Sequence, residues 1–256
     1  MKAARAALSL FTVLPVSQIE VTRDLAARAV LWMPAVGALL GLIAGGALWL
    51  VQMAVAGPLG TLLAAVVAVA MLALLTGGLH VDGLADTVDG LASRRPGKQA
   101  LEIMRRSDVG PLGAAAVFLA LLLQVTALAT VPRGLPSVGS LLLATVTART
   151  AVVIAAGRRV PAARPEGFGA LVAGTVSDRA RVLVGLSVAV AVMAIALLAG
   201  AVQVACTGLI ALAAGLLAGY GVQRLAQRQF GGVTGDVFGA IVEVSTVVTL
   251  VTVAVA

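Results

Sequence analysis

Charged residues and cysteine are both scarce in this sequence. Asp, Glu, Lys and Arg make up 11% of its 256 residues, whereas 61% are hydrophobic. A soluble domain carries about a quarter charged residues, so the composition excludes a soluble protein. The only cysteine, Cys206, lies within an apolar run. A single cysteine excludes both a disulfide framework within the chain and a cysteine-based metal site.

Long apolar runs stand where charge is missing. A helix of about 20 apolar residues crosses a bilayer. Seven runs of that kind occur, at 30–56, 58–79, 111–131, 137–156, 182–199, 202–220 and 237–256. The sequence therefore predicts an all-α membrane protein, a single domain spanning 1–256, built as a bundle of about seven transmembrane helices, with six to eight possible. The start, 1–16, resembles a signal peptide but lacks a cleavage site, so we expect a retained interfacial or re-entrant segment.

The basic residues lie almost entirely on one side of the alternating spans. Of the 18 Lys and Arg residues, only Arg133 falls on the opposite side and only Arg149 falls within a span. By the positive-inside rule, the amino terminus and the long loops are cytoplasmic. Because the net charge of +7 is explained by orientation in the bilayer, no nucleic-acid partner is expected. The sequence leaves open a homo-oligomer.

Small residues also form a pattern within the first apolar run. Gly37, Gly41 and Gly45 recur at intervals of four residues. Such a stripe lets a second helix approach closely, and it predicts tight helix packing in the membrane.

The segment 77–90 contains three of the 11 acidic residues. Asp82, Asp86 and Asp89 stand four and three residues apart, and this spacing aligns them on one face of a helix. No basic residue within the segment relieves their repulsion. Hard oxygen ligands at a water-accessible site favour Mg²⁺, which keeps several waters and bridges to substrate phosphates. The alternative interpretation is a solvated acidic helix end.

Other polar residues within or beside the spans are further candidates. Arg149 and Glu243 lie at similar depths in the fourth and seventh runs, so they predict a functional intramembrane pair or a structural one. Asp236, in a glycine-rich segment, lies at the mouth of the same bundle. His80, the only histidine, is either an acid–base group beside the carboxylates or a polar cap. Basic residues that suit a phosphate-rich substrate, or equally the anionic inner leaflet, are Arg94, Arg95, Lys98, Arg105 and Arg106.

Together these segments resemble the cobalamin synthase family, the membrane-bound adenosylcobinamide-GDP ribazoletransferases of bacteria and archaea. The similarity covers nearly the whole chain. Its most specific part is the motif GLHVDGLADTVDG at 78–90. The other matching segments are FTVLPV at 11–16, WMP at 32–34 with Gly37 and Gly41, LEIM at 101–104, Arg149, RPEGFG at 164–169, and GVTGDVFGA at 232–240 with Glu243.

The resemblance implies a phosphotransferase of the last steps of cobalamin (vitamin B12) biosynthesis in the cell membrane. A ribose hydroxyl of α-ribazole, or of its 5′-phosphate, attacks adenosylcobinamide-GDP and expels GMP. The resemblance also implies Mg²⁺ bound by Asp82 and Asp86, with Asp89 as a third ligand or as the base. His80 and Asp236 are expected at the catalytic centre. The expected substrate-binding residues are Arg149, Arg164, Arg105, Asp108 and Glu243.

The chain departs from many members of this family at two places. Val13 stands where a basic residue is common. In Arg106-Ser107-Asp108 the usual order of acid and base is exchanged. The exchange makes Asp108, rather than Arg106, the candidate for the role carried at this place.

Two other functions agree with parts of the sequence. A CDP-alcohol phosphotransferase also places an Asp-Gly-rich acidic helix at the membrane surface. Its usual pattern has Ala-Arg after Asp-Gly, whereas here Asp82-Gly83-Leu84 leads to Ala85-Asp86. An ion-coupled transporter would explain charges within the spans, but transporters bind substrate near the bilayer midplane rather than at one face.

Overall fold

The computed structural model describes residues 2–16, 20–95, 97–106, 108–198 and 202–256. Over these ranges the regular structure is helical, with two isolated β-bridges between loops. In chain order the helices are α1 (Lys2–Phe11), α2 (Arg23–Val30), α3 (Met33–Ala54), α4 (Gly57–Leu75), α5 (Leu79–Ala92), α6 (Gly97–Ile103), α7 (Pro111–Thr130), α8 (Leu135–Ala155), α9 (Phe168–Val172), α10 (Asp178–Leu198), α11 (Val202–Phe230) and α12 (Gly235–Val255).

Seven of the described helices are long and apolar enough to cross a membrane, namely α3, α4, α7, α8, α10, α11 and α12. They coincide with the seven apolar runs, and most ends differ by only a few residues, so the predicted fold class is confirmed. More than half of α8 and of α12 is buried, which places these two helices at the centre of the bundle, whereas α10 lies at its edge. The turn predicted at 200–201 lies outside the described residues.

Helix α11 is the one span whose predicted end is wrong. Its apolar run stops at Tyr220, but the helix continues to Phe230 because 221–230 is rich in Gln, Arg, Leu and Ala, which favour helix. At 29 residues it is about 43 Å long, more than the hydrocarbon layer requires. The extension contacts α6, and Gln229 Nε2 donates a hydrogen bond to the Arg95 carbonyl at 2.8 Å.

Helices α3 and α8 pack along the glycine stripe. A Cβ atom built on Gly37 would lie 2.5 Å from the carbonyl oxygen of Thr145, and one built on Gly45 would lie 3.0 Å from Cγ1 of Val138. The two backbones can approach so closely only because these positions carry no side chain. The predicted role of the stripe in helix packing is confirmed.

The amino-terminal segment forms short helices rather than a span. Helix α1 has ten residues, about 15 Å, which is half of what a membrane crossing needs. It packs against α2, with Ala6, Ala7 and Phe11 buried. Arg23 of α2 donates hydrogen bonds to the carbonyls of Ala170 and Ala173. These hydrogen bonds hold the amino-terminal segment against the α9 region, next to the candidate active site.

Arg133 is the single basic residue in the loops at the end of the bundle opposite the basic loops, and it has a structural role. Its guanidinium donates to the carbonyls of Gln52, Val55 and Gly57 near the end of α3 and the start of α4. A cation stabilises the carbonyls at a helix C-terminus. The exception to the charge pattern thus serves as a helix cap.

Substituting Gly37 by Ala tests the close α3–α8 contact. The new methyl group would meet the Thr145 carbonyl, so we expect destabilisation of about 1–3 kcal/mol. Thermal unfolding of the detergent-purified protein measures this. Gly46→Ala on the same helix is the matched control, because no atom beyond the adjoining backbone of α3 lies within 4 Å of its Cβ position. Equal melting temperatures for the two variants would contradict the assigned contact.

Candidate active site

The acidic segment forms α5, a helix of 14 residues that is too short to span a membrane. Asp82 is exposed, whereas Asp86 and Asp89 are half-buried. The predicted helix is present. The environments of its three carboxylates differ, however, because each meets different parts of the chain.

A close approach of α5 and α12 adds Asp236 to this acidic group. A Cβ atom on Gly83 would lie 2.7 Å from the carbonyl oxygen of Asp236, and one on Gly239 would lie 3.1 Å from that of His80. The first turn of α12 therefore lies directly against the turn of α5 between Asp82 and Asp86. Gly83 and Gly239 lie in motifs that the sequence analysis identified, but their part in joining the two helices emerges only from the structure.

Arg164 reaches the same place from the loop between α8 and α9. Its Nη1 lies 3.5 Å from Oδ2 of Asp236, and its Nη2 donates to the Leu101 carbonyl at 2.8 Å. The loop is held by backbone hydrogen bonds, since the Ala163 N–H donates to the Val233 carbonyl at 3.0 Å. Arg164 and Asp236, 72 positions apart in sequence, are thereby fixed side by side.

Burial and neighbouring negative charges together disfavour the charged form of one carboxylate at the site. Burial and the carboxylates of Asp82, Asp236 and Asp89 raise the pKa of Asp86 to about 6, and the positive charge of Arg164 only partly opposes them. The charged form of Asp86 is thus disfavoured in the folded protein. A cation placed among these carboxylates would relieve the repulsion.

The donor set fits Mg²⁺ in chemistry but does not enclose it. Among the described residues, no three His, Cys, Asp or Glu side chains form a group arranged to hold a metal ion. Mg²⁺ is usually held by one or two carboxylates, with waters and substrate phosphates completing the octahedron. Asp82 and Asp86 can provide such a partial set. The expected role of Mg²⁺ stays a prediction.

Asp89 has partners that the sequence did not reveal. Its Oδ2 accepts a hydrogen bond from the Gly110 N–H at 2.7 Å, and its Oδ1 accepts one from the Gly113 N–H at 2.8 Å. Both donors belong to the start of α7, where a carboxylate satisfies free N–H groups and the helix dipole. The predicted roles of Asp89 as ligand or base are untested. The structure adds a role as the cap of α7.

A smaller cavity beneath the carboxylates is lined by His80, Gln124, Arg149 and Glu243. Burial, together with the positive charge of Arg149, lowers the pKa of His80 well below its usual value, so the imidazole is neutral. Arg149 and Glu243 reach the same cavity, as their matching depths predicted. The predicted direct pair is not among the ion pairs found in the described part of the chain, which are Arg164–Asp236 and Arg181–Asp178.

Gln124 of α7 explains why that pair is not formed. Its Nε2 donates to Oε2 of Glu243 at 2.7 Å, so the carboxylate is satisfied by an amide rather than by the guanidinium. The Nε of Arg149 is buried and has no partner within the described ranges. The sequence analysis missed Gln124. The sequence did contain an indication, because Gln124 is the only amide side chain in the apolar run 111–131.

The main cavity, of about 370 Å³, opens beside the first turns of α5 and α12. Of the predicted site residues, His80, Asp82, Arg164 and Asp236 line it. Asp86 lies beside them, close enough for its pKa to depend on Asp82 and Asp236. Arg105 and Asp108 are exposed at the α6–α7 connection and line neither cavity, and Ser107 between them lies outside the described residues.

Seven long apolar helices, with carboxylates and an arginine gathered around a cavity at one end, define a multi-pass membrane enzyme. Residues 3–254 match the profile of one family, CobS, described as cobalamin-5-phosphate synthase. The chain belongs to the CobS family.

Several relatives carry the name adenosylcobinamide-GDP ribazoletransferase. The protein from Frankia casuarinae is 43% identical, over 99% of this chain and 95% of the relative. The one from Bradyrhizobium diazoefficiens is 40% identical, over 96% of this chain and 90% of the relative. The one from Citrobacter koseri is 37% identical, over 87% and 86%. No solved structure matches.

Substituting Asp89 by Asn separates its structural role from a role in metal binding. In the amide an NH2 group replaces one of the two acceptor oxygens, so the hydrogen bond from either Gly110 or Gly113 is lost. We expect a loss of about 1–3 kcal/mol in stability. The melting temperature should fall by a similar amount with and without Mg²⁺, whereas Glu20→Gln, at an exposed acid, should leave it unchanged. A melting temperature lowered only in the presence of Mg²⁺ would contradict the capping role.

Proposed function

We propose that this chain is an adenosylcobinamide-GDP ribazoletransferase that depends on Mg²⁺ bound at Asp82 and Asp86. The reaction joins adenosylcobinamide-GDP to α-ribazole, or to its 5′-phosphate, in the last steps of cobalamin biosynthesis. The activity is supported by the name that its relatives carry. The observation that carries the site assignment is the meeting of Asp82, Asp236 and Arg164 at one cavity.

The reaction exchanges a phosphoanhydride bond for a phosphoester bond. A ribose hydroxyl oxygen of the acceptor bonds to the phosphorus that is linked to cobinamide. The bond from that phosphorus to the bridging oxygen of the diphosphate breaks, and GMP leaves with that oxygen. The hydroxyl proton is released to a base. The product is adenosylcobalamin, or its 5′-phosphate.

The carboxylates of α5 supply the site for the cation. Asp82 is exposed and lines the main cavity, and Asp86 lies beside it among other carboxylates, so a cation that arrives with the substrate diphosphate would relieve their repulsion. Mg²⁺ bound there would supply positive charge to the oxygens of the attacked phosphate and to the leaving oxygen. We assign Asp89 to the support of α7 rather than to the metal, because both of its oxygens already accept hydrogen bonds.

Arg164 is proposed to bind a phosphate oxygen of the substrate. It lines the main cavity, and its two terminal nitrogens contact Asp236 and the Leu101 carbonyl. A guanidinium fixed on both sides loses little freedom when it binds an anion. Arg105, whose charge also acts on Arg164, would add to the positive potential near the cavity.

Asp236 is our assignment for the group that accepts the hydroxyl proton. It lines the main cavity, it is half-buried, and Thr234 Oγ1 donates to its Oδ2 at 3.2 Å. Neutral His80 lines the same cavity and would hydrogen-bond the reacting groups without adding charge. Arg149 and Glu243 are proposed to support His80 from beneath, through the smaller cavity.

The site is proposed to face the cytoplasm at the cell membrane, with the whole chain, 1–256, forming one integral membrane domain. The loops that carry Arg164 and the segment before α7 belong to the basic side of the charge distribution. The positive-inside rule assigns that side to the cytoplasm, where nucleotides are available.

Purified protein in detergent tests the activity and its metal requirement together. We expect GMP to be released from adenosylcobinamide-GDP only when α-ribazole and Mg²⁺ are both present. Asp82→Asn should lower kcat by about a hundredfold, the usual size of the loss when a group acting on the transition-state charge is removed. Mg²⁺ should raise the melting temperature of the wild type but not of this variant.

Three outcomes would count against these assignments. Full activity of Asp82→Asn would remove the metal assignment, and Glu20→Gln is its acid-to-amide control at an exposed position. Release of CMP from a CDP-alcohol, without GMP release, would favour the phosphotransferases of lipid synthesis. Solute flux in proteoliposomes without nucleotide chemistry would favour a transporter.

The orientation can be tested by cysteine labelling. In a Cys206→Ser background, Arg159→Cys and Leu135→Cys place single thiols at exposed positions at opposite ends of α8, the first in the loop after the helix and the second at its first residue. With an impermeant maleimide on intact cells, we expect labelling at 135 and protection at 159. Opening the cells should expose position 159. Labelling at 159 in intact cells would reverse the proposed topology.

A further inference from the structure

The main cavity has an aromatic side. Phe11, Phe168 and Phe238 all line it, although they come from the end of α1, the start of α9 and the first turns of α12. The rings of Phe11 and Phe168 meet edge to face with centroids 5.1 Å apart, and those of Phe168 and Phe238 with centroids 6.0 Å apart. We call these three residues the phenylalanine wall.

The wall consists of aromatic residues, which are scarce in this chain. Aromatic side chains make up 3% of the chain and only five are phenylalanine, yet three of these five lie together here. Met33 and Val152 extend the apolar surface around them. Phe11 and Phe238 are buried, whereas Phe168 is half-buried, so Phe168 presents the most ring surface to a ligand.

The same cavity also has polar lining residues. These are Asp82, Arg164 and Asp236, the groups proposed to act on phosphate and hydroxyl. A ligand that fills the cavity must therefore combine an apolar, planar part with a polar part. A nucleoside has this form, because its base is flat and its ribose carries the hydroxyls.

Size and polarity decide which part of the two substrates fits. A cavity of about 370 Å³ lies at the small end of the range for drug-sized ligands, so it can enclose a nucleoside but not a corrin macrocycle. The guanine of the donor has several hydrogen-bonding groups on its edges, and burying them against hydrocarbon leaves them unsatisfied. The dimethylbenzimidazole of α-ribazole has an apolar edge and stacks on aromatic rings at no such cost.

We propose that the phenylalanine wall binds the planar base of the α-ribazole acceptor and turns its ribose toward Asp236 and Arg164. This inference rests on the proposed function, since it assigns one of the two substrates to the cavity. The wall also selects the base, because an acceptor with a purine would bury polar ring substituents against phenylalanine.

Phe168→Leu tests the assignment through the two Michaelis constants. Removal of a stacking ring should raise the KM for α-ribazole about tenfold or more, and leave the KM for adenosylcobinamide-GDP unchanged. Phe118→Leu is the matched control, because Phe118 of α7 is 66% exposed on the outer surface of the bundle and lines neither cavity. It should leave both constants at the wild-type value.

A binding measurement separates this inference from the proposed function. Calorimetric titration of α-ribazole into purified protein, without the second substrate, should show affinity about tenfold weaker for Phe168→Leu than for wild type. If the wild type released no GMP, the proposed function would fail while this binding difference could still be read. Phe238→Leu provides the same comparison if Phe168→Leu does not fold.

Three results would overturn the inference. A raised KM for adenosylcobinamide-GDP, with that for α-ribazole unchanged, would place the guanine against the wall. Unchanged constants and unchanged α-ribazole affinity in both Phe168→Leu and Phe238→Leu would show that the wall binds neither base. An adenine riboside accepted as well as α-ribazole by the wild type would contradict the proposed selection of the base.

Discussion

The contact between α5 and α12 is the constraint on which the site depends. Gly83 faces the backbone of Asp236 and Gly239 faces the backbone of His80, so neither helix can carry a side chain where they meet. This approach brings Asp236 into an acidic group that α5 alone would present to solvent. Arg164 then joins the group by its contact with Asp236, and the cavity forms between them.

The same constraint gives the site its electrostatic character. Burial, and then the neighbouring carboxylates, raise the pKa of Asp86 to about 6, because the folded protein holds groups of like charge close together. Such strain is typical of functional sites, where the missing charge arrives with substrate or cation. Asp89 helps to hold this arrangement in place, because it caps α7 and thereby fixes the end of α5 against α7.

Some of the site was predictable because its signals are local. The helix carrying Asp82, Asp86 and Asp89 follows from spacing, and the packing of α3 on α8 follows from Gly37 and its repeats. The partners of polar side chains were less predictable. Arg149 and Glu243 were expected to pair because their depths match, but depth says nothing about which other helix lies between them. The carboxylate of Glu243 instead accepts a hydrogen bond from Gln124 of α7.

By itself, the sequence predicted a bundle of about seven apolar helices, because hydropathy and length are properties of single segments. It also determined where the acidic helix lies and, through its motifs, the family to which the chain belongs. Only the tertiary structure decided which groups meet at the site and that three phenylalanines from remote segments share one wall. Those meetings depend on how helices far apart in the chain pack, and no single segment carries that information.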